Sequence, residues 1–221
     1  MARLWAGFVP FAVLAVIHVV ALALHADPIA TPTKLLLMPL LAAGVVWGLR
    51  RTGARRPASR LLLAAIALSW LGDGAGVLFP WAPTIPVMLL WFGVAHLSYV
   101  RLFWHYLATR PLPPWTLVFA VWWGVLLAIL WPHLGGLLVP VALYGLILGG
   151  TALAASRCHP LIVVGGLFFL ASDSVLAFRL FVPEAMPEWT SPLVMLTYAL
   201  GQGLMAAGAV IAIRTGVRVS T

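Results

Sequence analysis

Apolar residues run through this chain in blocks of about twenty, separated by short polar clusters. At 1.5 Å per residue, a helix of that length crosses the hydrocarbon of a bilayer. The pattern predicts eight spanning helices, over residues 4–24, 35–49, 61–79, 85–106, 115–132, 134–155, 160–182 and 192–213. The second block is short. Only Pro132 and His133 divide the fifth from the sixth, which predicts a tight hairpin there. Pro80, Pro83, Pro111, Pro113, Pro114, Pro183 and Pro187 fall in or beside connections, where a missing N–H does little harm. Pro10, Pro39, Pro86 and Pro140 fall within or near helix ends and are expected to bend them. No room remains for a soluble domain. Residues 1–221 therefore read as one integral membrane domain, an all-α, polytopic bundle of eight transmembrane helices.

The composition agrees with lipid as solvent. The chain is 63% apolar and only 8% charged, with a mean hydropathy of +1.08, where soluble domains carry about 25% charged residues. The opening segment, Arg3 followed by an apolar run ending in "ALALHA", has features of a secretory signal. The run is long for one and further spans follow, so it is expected to be retained as the first helix. The single Cys158 excludes an internal disulfide and a cysteine metal cluster, and packing is its expected role. The eleven tryptophans read as lipid-facing bulk and interface anchors.

A formal charge of +8 raises nucleic acid as a partner. The arginines argue against it, because they gather in short connections. "RRTGARRPASR" (Arg50–Arg60) carries five between helices 2 and 3, and Arg110, Arg157, Arg214 and Arg218 fall on the same side for an even count. Asp27, Lys34, Glu184 and Glu188 fall on the other. That asymmetry suits anionic headgroups and puts both termini in the cytoplasm, with a bacterial inner membrane as the expected site. A second regularity is a possible duplication. "PVMLLWFGVAH" (Pro86–His96) aligns with "PLVMLTYALGQ" (Pro192–Gln202), with Asp73 ahead of one and Asp173 ahead of the other. Helices 3–4 would then correspond to helices 7–8, as in a four-plus-four parallel repeat.

Two of the five acids lie inside apolar blocks: Asp73 in "LSWLGDGAGVLF" and Asp173 in "GLFFLASDSVLAF". An ionisable group at membrane depth costs about 2.5–3.5 kcal/mol on insertion scales, which makes each a functional candidate. Both helices run outward by the even count, so both acids sit in the outer half of the membrane. Ser69, Gly72, Asp73 and Gly76 recur at three- and four-residue spacing, as do Gly166, Phe169, Asp173 and Ala177. His96 and Tyr99 share a side of helix 4, and Tyr198 and Gln202 a side of helix 8. Lys34 opens helix 2 at the outer surface, and Arg179 lies one and a half turns beyond Asp173. Each residue also has a structural reading. The acids would pair with Arg179 or Lys34, His96 would be a satisfied bundle histidine, and the tyrosines would belong to an interfacial belt. Arg101 reads as a snorkelling anchor. The remaining histidines lack metal-ligand spacing, and no metal site is expected. There is no G-x-S-x-G, Walker, HExxH or Gly-rich dinucleotide signature.

Taken together, "TPTKLLLMPLL", "LGDGAGVL", "FGVAHLSYVRLF", "ASDSVLAF" and "YALGQGLM" resemble, in order and spacing, the YhhN-like family, whose animal members include the lysoplasmalogenases. The resemblance runs from about Lys34 to Gln202. One departure is visible: the family usually shows Lys-Pro where this chain has Lys34-Leu35, with Pro39 further on. The resemblance implies an eight-helix hydrolase that cleaves the vinyl ether of a lysoplasmalogen to a fatty aldehyde and a glycerophospho-base. Its substrate would be a lysophospholipid, membrane lipids are its expected partners, and no cofactor is expected. It carries function onto Lys34, Asp73, His96, Tyr99, Asp173, Tyr198 and Gln202.

The chemistry suits two acids. A vinyl ether has no carbonyl to attack and must first be protonated at carbon. The oxocarbenium ion so formed needs a nearby anion and an aimed water, as in glycosidases. In a low-dielectric site one of two neighbouring carboxyls can hold its proton while the other stays charged. Lys34 and Arg179 would attract the lipid phosphate. Two other classes fit the same residues: a proton-coupled lipid or small-molecule transporter, which would work only in sealed vesicles, and a non-catalytic lipid-binding protein.

Overall fold

A computed structural model of the chain describes residues 5–50 and 56–216. Arg51, Arg55 and Arg218, counted in the charge asymmetry, lie outside the described residues, as do Arg3 and the side chain of Arg56. The described chain is all helix and turn, with no strand. Its eight long helices are α1 Val9–Ala23, α2 Asp27–Leu49, α3 Arg56–Asp73, α4 Thr84–Leu102, α5 Val118–Leu134, α6 Leu138–Ala155, α7 Pro160–Phe181 and α8 Thr190–Thr215. Five stretches are long and apolar enough to cross a membrane: Asp27–Leu49, Thr84–Leu107, Pro114–Ala155 (the α5–α6 hairpin), Pro160–Phe181 and Thr190–Thr215. The apolar α1 is shorter, and the 18 residues of α3 include Arg56, Arg60 and Asp73. Large apolar side chains such as Val16, Leu117, Val121, Ile129, Leu143 and Leu167 are exposed around the outside. That surface needs lipid rather than water, and the chain is an integral membrane protein.

Several boundaries differ from the hydropathy blocks, for local reasons. α2 begins at Asp27, eight residues before the apolar run. Pro28 fits the first turn because its missing N–H has no partner to lose, and the Asp27 charge suits the positive end of the helix. Lys34 therefore lies two turns inside α2 rather than at its start. α3 stops at Asp73; Gly74 interrupts it before one further turn, Ala75–Leu78. Pro10 stands at the opening of α1, and Pro86 and Pro140 in the first turns of α4 and α6, so they start helices rather than bend them. The α5–α6 reversal is not at Pro132-His133, which α5 runs through. It is at the 3₁₀ turn Gly135–Leu137, where Gly135 takes φ +49°, a left-handed value that glycine alone adopts freely. Trp123 Nε1 then donates across the hairpin to Ala142 O at 2.9 Å. After α4 the chain widens into a π-helical turn, Phe103–Leu107.

α8 is the axis of the bundle, packing against α7, α1, α2 and α3. Its approach to α7 is backbone to backbone. A Cβ on Gly165 would lie 2.7 Å from Met205 N, and one on Gly201 2.9 Å from Phe169 N. Small residues at such crossings are how membrane helices gain dispersion energy without a hydrophobic drive. The α7–α8 and α3–α4 pairs are the most extensively packed in the molecule. These are the two pairs aligned by the proposed duplication, although its matched residues His96 and Gln202 have different partners, given below.

The charges separate to the two ends. Arg214 Nη1 reaches Gly48 O at 3.4 Å, and the Arg110 and Arg157 connections bond to each other, which places Arg50, Arg110, Arg157 and Arg214 at one end. At the other, His25 Nε2 and Glu188 Oε2 lie 3.6 Å apart.

Candidate active site

The polar interior is built from a few residues on each of five helices. Asp73, the last residue of α3, accepts a hydrogen bond on Oδ2 from the hydroxyl of Tyr198 in α8, at 2.6 Å. One turn on, Gln202 is fully buried and bonded at both ends of its amide. Its Oε1 accepts from Tyr99 of α4 at 2.6 Å, and its Nε2 donates to Ser69 Oγ of α3 at 3.0 Å, with Tyr198 Oη at 3.5 Å. Gln202 thereby ties α3, α4 and α8 together one turn below Asp73. The stripe seen in the sequence faces inward at Ser69 and Gly72, whereas Gly76 is exposed on the turn beyond Gly74.

Asp173 sits in the middle of α7 and takes the hydroxyl of Tyr144, from α6, on its Oδ2. The flanking serines are used structurally. Ser172 donates to Val194 O at 3.0 Å; Ser174 accepts from Trp122 Nε1 at 3.0 Å and donates to Leu170 O at 2.7 Å. Two cavities of about 40 Å³ each touch Asp173 and Tyr144, one closed by Met88, Leu89 and Phe92, the other by Trp122, Trp123 and Leu130. Each has room for a water molecule.

A layer of rings joins the two acids. Phe169 lies 5.3 Å from Tyr198 and 4.6 Å from His96, and His96 lies 5.8 Å from Tyr144, centroid to centroid. Phe92 closes the layer against Phe169 and Tyr198. Each acid meets this layer through a tyrosine hydroxyl, Asp73 through Tyr198 and Asp173 through Tyr144. His96 bonds Thr151 Oγ1 through Nδ1 at 3.1 Å, while its buried Nε2 has no hydrogen-bond partner among the described residues.

The two cations differ. Lys34 is half-buried on α2, next to Leu35, whose O accepts from Trp70 Nε1 at 2.9 Å one turn before Asp73. Arg179 instead braces the α7–α8 connection, donating to Thr190 Oγ1 at 2.5 Å and Pro187 O at 3.3 Å. Neither forms an ion pair with an acid; among the described residues His25–Glu188 is the one pair within 4 Å. A groove of about 560 Å³, almost entirely apolar, runs between α1 and α8. Its α8 wall, Leu196, Ala199, Leu200 and Gly203, is the face turned away from Tyr198 and Gln202, so it is not part of this site.

The structure thus gathers Asp73, Tyr99, Tyr198, Gln202 and Ser69 into one network, sets Asp173 beside it through the ring layer that includes His96, and brings Lys34 near. Reading the sequence missed Tyr144. The available signal was its seven-residue spacing from Thr151 in an otherwise apolar helix, which puts both on the face that meets His96 and Asp173.

A model of the YhhN family matches residues 29–209, which includes every residue of the site. No curated protein and no solved structure matches the chain.

Proposed function

The chain belongs to the YhhN family, and from that premise we propose that it is a membrane hydrolase cleaving the vinyl ether of lysoplasmalogen-type lysolipids. One observation carries the reading. Two carboxyls one hundred residues apart in the chain each receive a tyrosine hydroxyl, and one layer of rings, Tyr198, Phe169, His96 and Tyr144, joins them inside a lipid-facing bundle. One carboxyl gives its proton to the outer carbon of the C=C–O unit. The other, charged, stabilises the oxocarbenium ion and takes a proton from the attacking water. The hemiacetal then breaks to aldehyde and alcohol, consuming one water overall. The cavities beside Asp173 suit a water, and Lys34 suits the attraction of a phosphate.

In this reading all eight long helices cross a bacterial inner membrane with the basic end and both termini in the cytoplasm. The substrate enters sideways from the outer leaflet, its phosphate at the surface. The test is purified protein in detergent with a panel of lysolipids, products followed by mass spectrometry. Aldehyde and glycerophospho-base are expected from vinyl-ether lipids, and Asp73→Asn and Asp173→Asn should each abolish them while the variants still purify as folded protein. Free fatty acid as the product, or full activity in both variants, would contradict the reading.

A further inference from the structure

At the basic end, the α4–α5 and α6–α7 connections are bonded to each other. Thr109 gives both its N–H and its hydroxyl to Arg157 O, at 2.8 and 3.2 Å. Arg110 Nε donates to Ser156 O at 2.8 Å, and Arg157 Nε donates to Arg110 O at 3.2 Å. The Arg157 guanidinium also stands 4.3 Å over the ring of Trp104. Both arginines are thus fixed through Nε, and their Nη groups make no hydrogen bond among the described residues. Two like charges are being held at one corner by backbone carbonyls.

No carboxylate side chain offsets them. The chain has five acids; Asp27, Glu184 and Glu188 belong to the opposite end, and Asp73 and Asp173 are inside the bundle. Trp104 is 39% exposed, as expected of an indole at headgroup depth. Guanidinium donors pair with phosphate oxygens in planar, bidentate fashion. A zwitterionic headgroup would bring its ammonium against the same two cations.

We propose that the Arg110–Arg157 corner is a binding site for the phosphodiester of an anionic phospholipid in the leaflet at the basic end. It is remote from the paired carboxyls, so it stands or falls independently of the reaction proposed above.

The test is native mass spectrometry and thermal unfolding of the purified full chain in neutral detergent. Phosphatidylglycerol, phosphatidylcholine of the same acyl chains, and inorganic phosphate are added in separate arms. Expected are retained phosphatidylglycerol adducts and a raised melting temperature, with neither from phosphatidylcholine. Inorganic phosphate should have no effect, because it lacks the chains that keep the headgroup at the interface. Arg110→Gln with Arg157→Gln should weaken lipid retention by about tenfold or more; Arg60→Gln, which removes a charge from α3 at the same end, should not. If the double variant does not purify folded, Arg157→Gln alone carries the comparison. Equal retention by wild type and the corner variant, an equal loss in Arg60→Gln, equal retention of phosphatidylcholine, or an equal response to inorganic phosphate would overturn the proposal.

Discussion

Gln202 shows how much one buried amide can fix. It is the shared partner of Tyr99 and Ser69 and lies within reach of the hydroxyl that holds Asp73. Gln202→Leu keeps the bulk and leaves both partners buried without a bond, at about 1–3 kcal/mol for each such group. Thermal unfolding in detergent should register a clear drop in melting temperature; an unchanged value would show that the network carries no stability. The tyrosines that meet the acids should behave differently. Tyr198→Phe and Tyr144→Phe remove one donor from each carboxyl, and each should lower turnover by about 10- to 100-fold in folded protein. Loss in only one would mean that the two acids are not equally engaged. The acids themselves were legible because charge inside an apolar block is costly wherever it occurs. Tyr144 was not, because a tyrosine in such a block is ordinary and only its contact with Asp173 sets it apart.

At the scale of the helix, Pro39 and Trp70 form a unit. Pro39 lacks the N–H that would bond Leu35 O four residues earlier, and the indole of Trp70 supplies it instead at 2.9 Å. This pins α2, and with it Lys34, to α3 one turn before Asp73. Trp70→Phe should therefore destabilise by about 1–3 kcal/mol. It should cost less in a Pro39→Ala background, where the backbone N–H restored by that substitution can take the carbonyl. A double-mutant cycle by unfolding checks this; additive effects would refute it. The α7–α8 crossing is stricter, since a side chain at Gly201 would meet backbone rather than flexible atoms. Gly201→Leu should yield no monodisperse folded protein on gel filtration. Hydropathy located all eight helices, because each carries an apolar run. It misplaced the start of α2, the end of α3 and the α5–α6 turn, since those depend on proline at an orphan N–H, a glycine interruption and a left-handed glycine. None of these changes the mean hydropathy of a window.

For the whole molecule, the separation of basic and acidic ends was readable from loop composition alone, and contacts such as Arg214 to Gly48 and His25 to Glu188 give it a spatial form. Which pairs of helices meet was not readable, because apolar helix faces resemble one another and close crossings depend on where glycines fall opposite each other. If the basic end faces the cytoplasm, a reporter fused after Thr221 should be active on that side and one inserted after Gly136 on the other; both on one side would break the eight-crossing topology. The central claim, however, is chemical: a proton delivered to carbon by an intramembrane carboxyl. Its most direct test is turnover of a vinyl-ether lysolipid by purified protein in D₂O, with the aldehyde trapped by reduction as it forms. The account predicts one deuterium on the carbon next to the former carbonyl, in wild type and in neither Asp→Asn variant. Aldehyde without that label, or no aldehyde from folded wild-type protein, would contradict it.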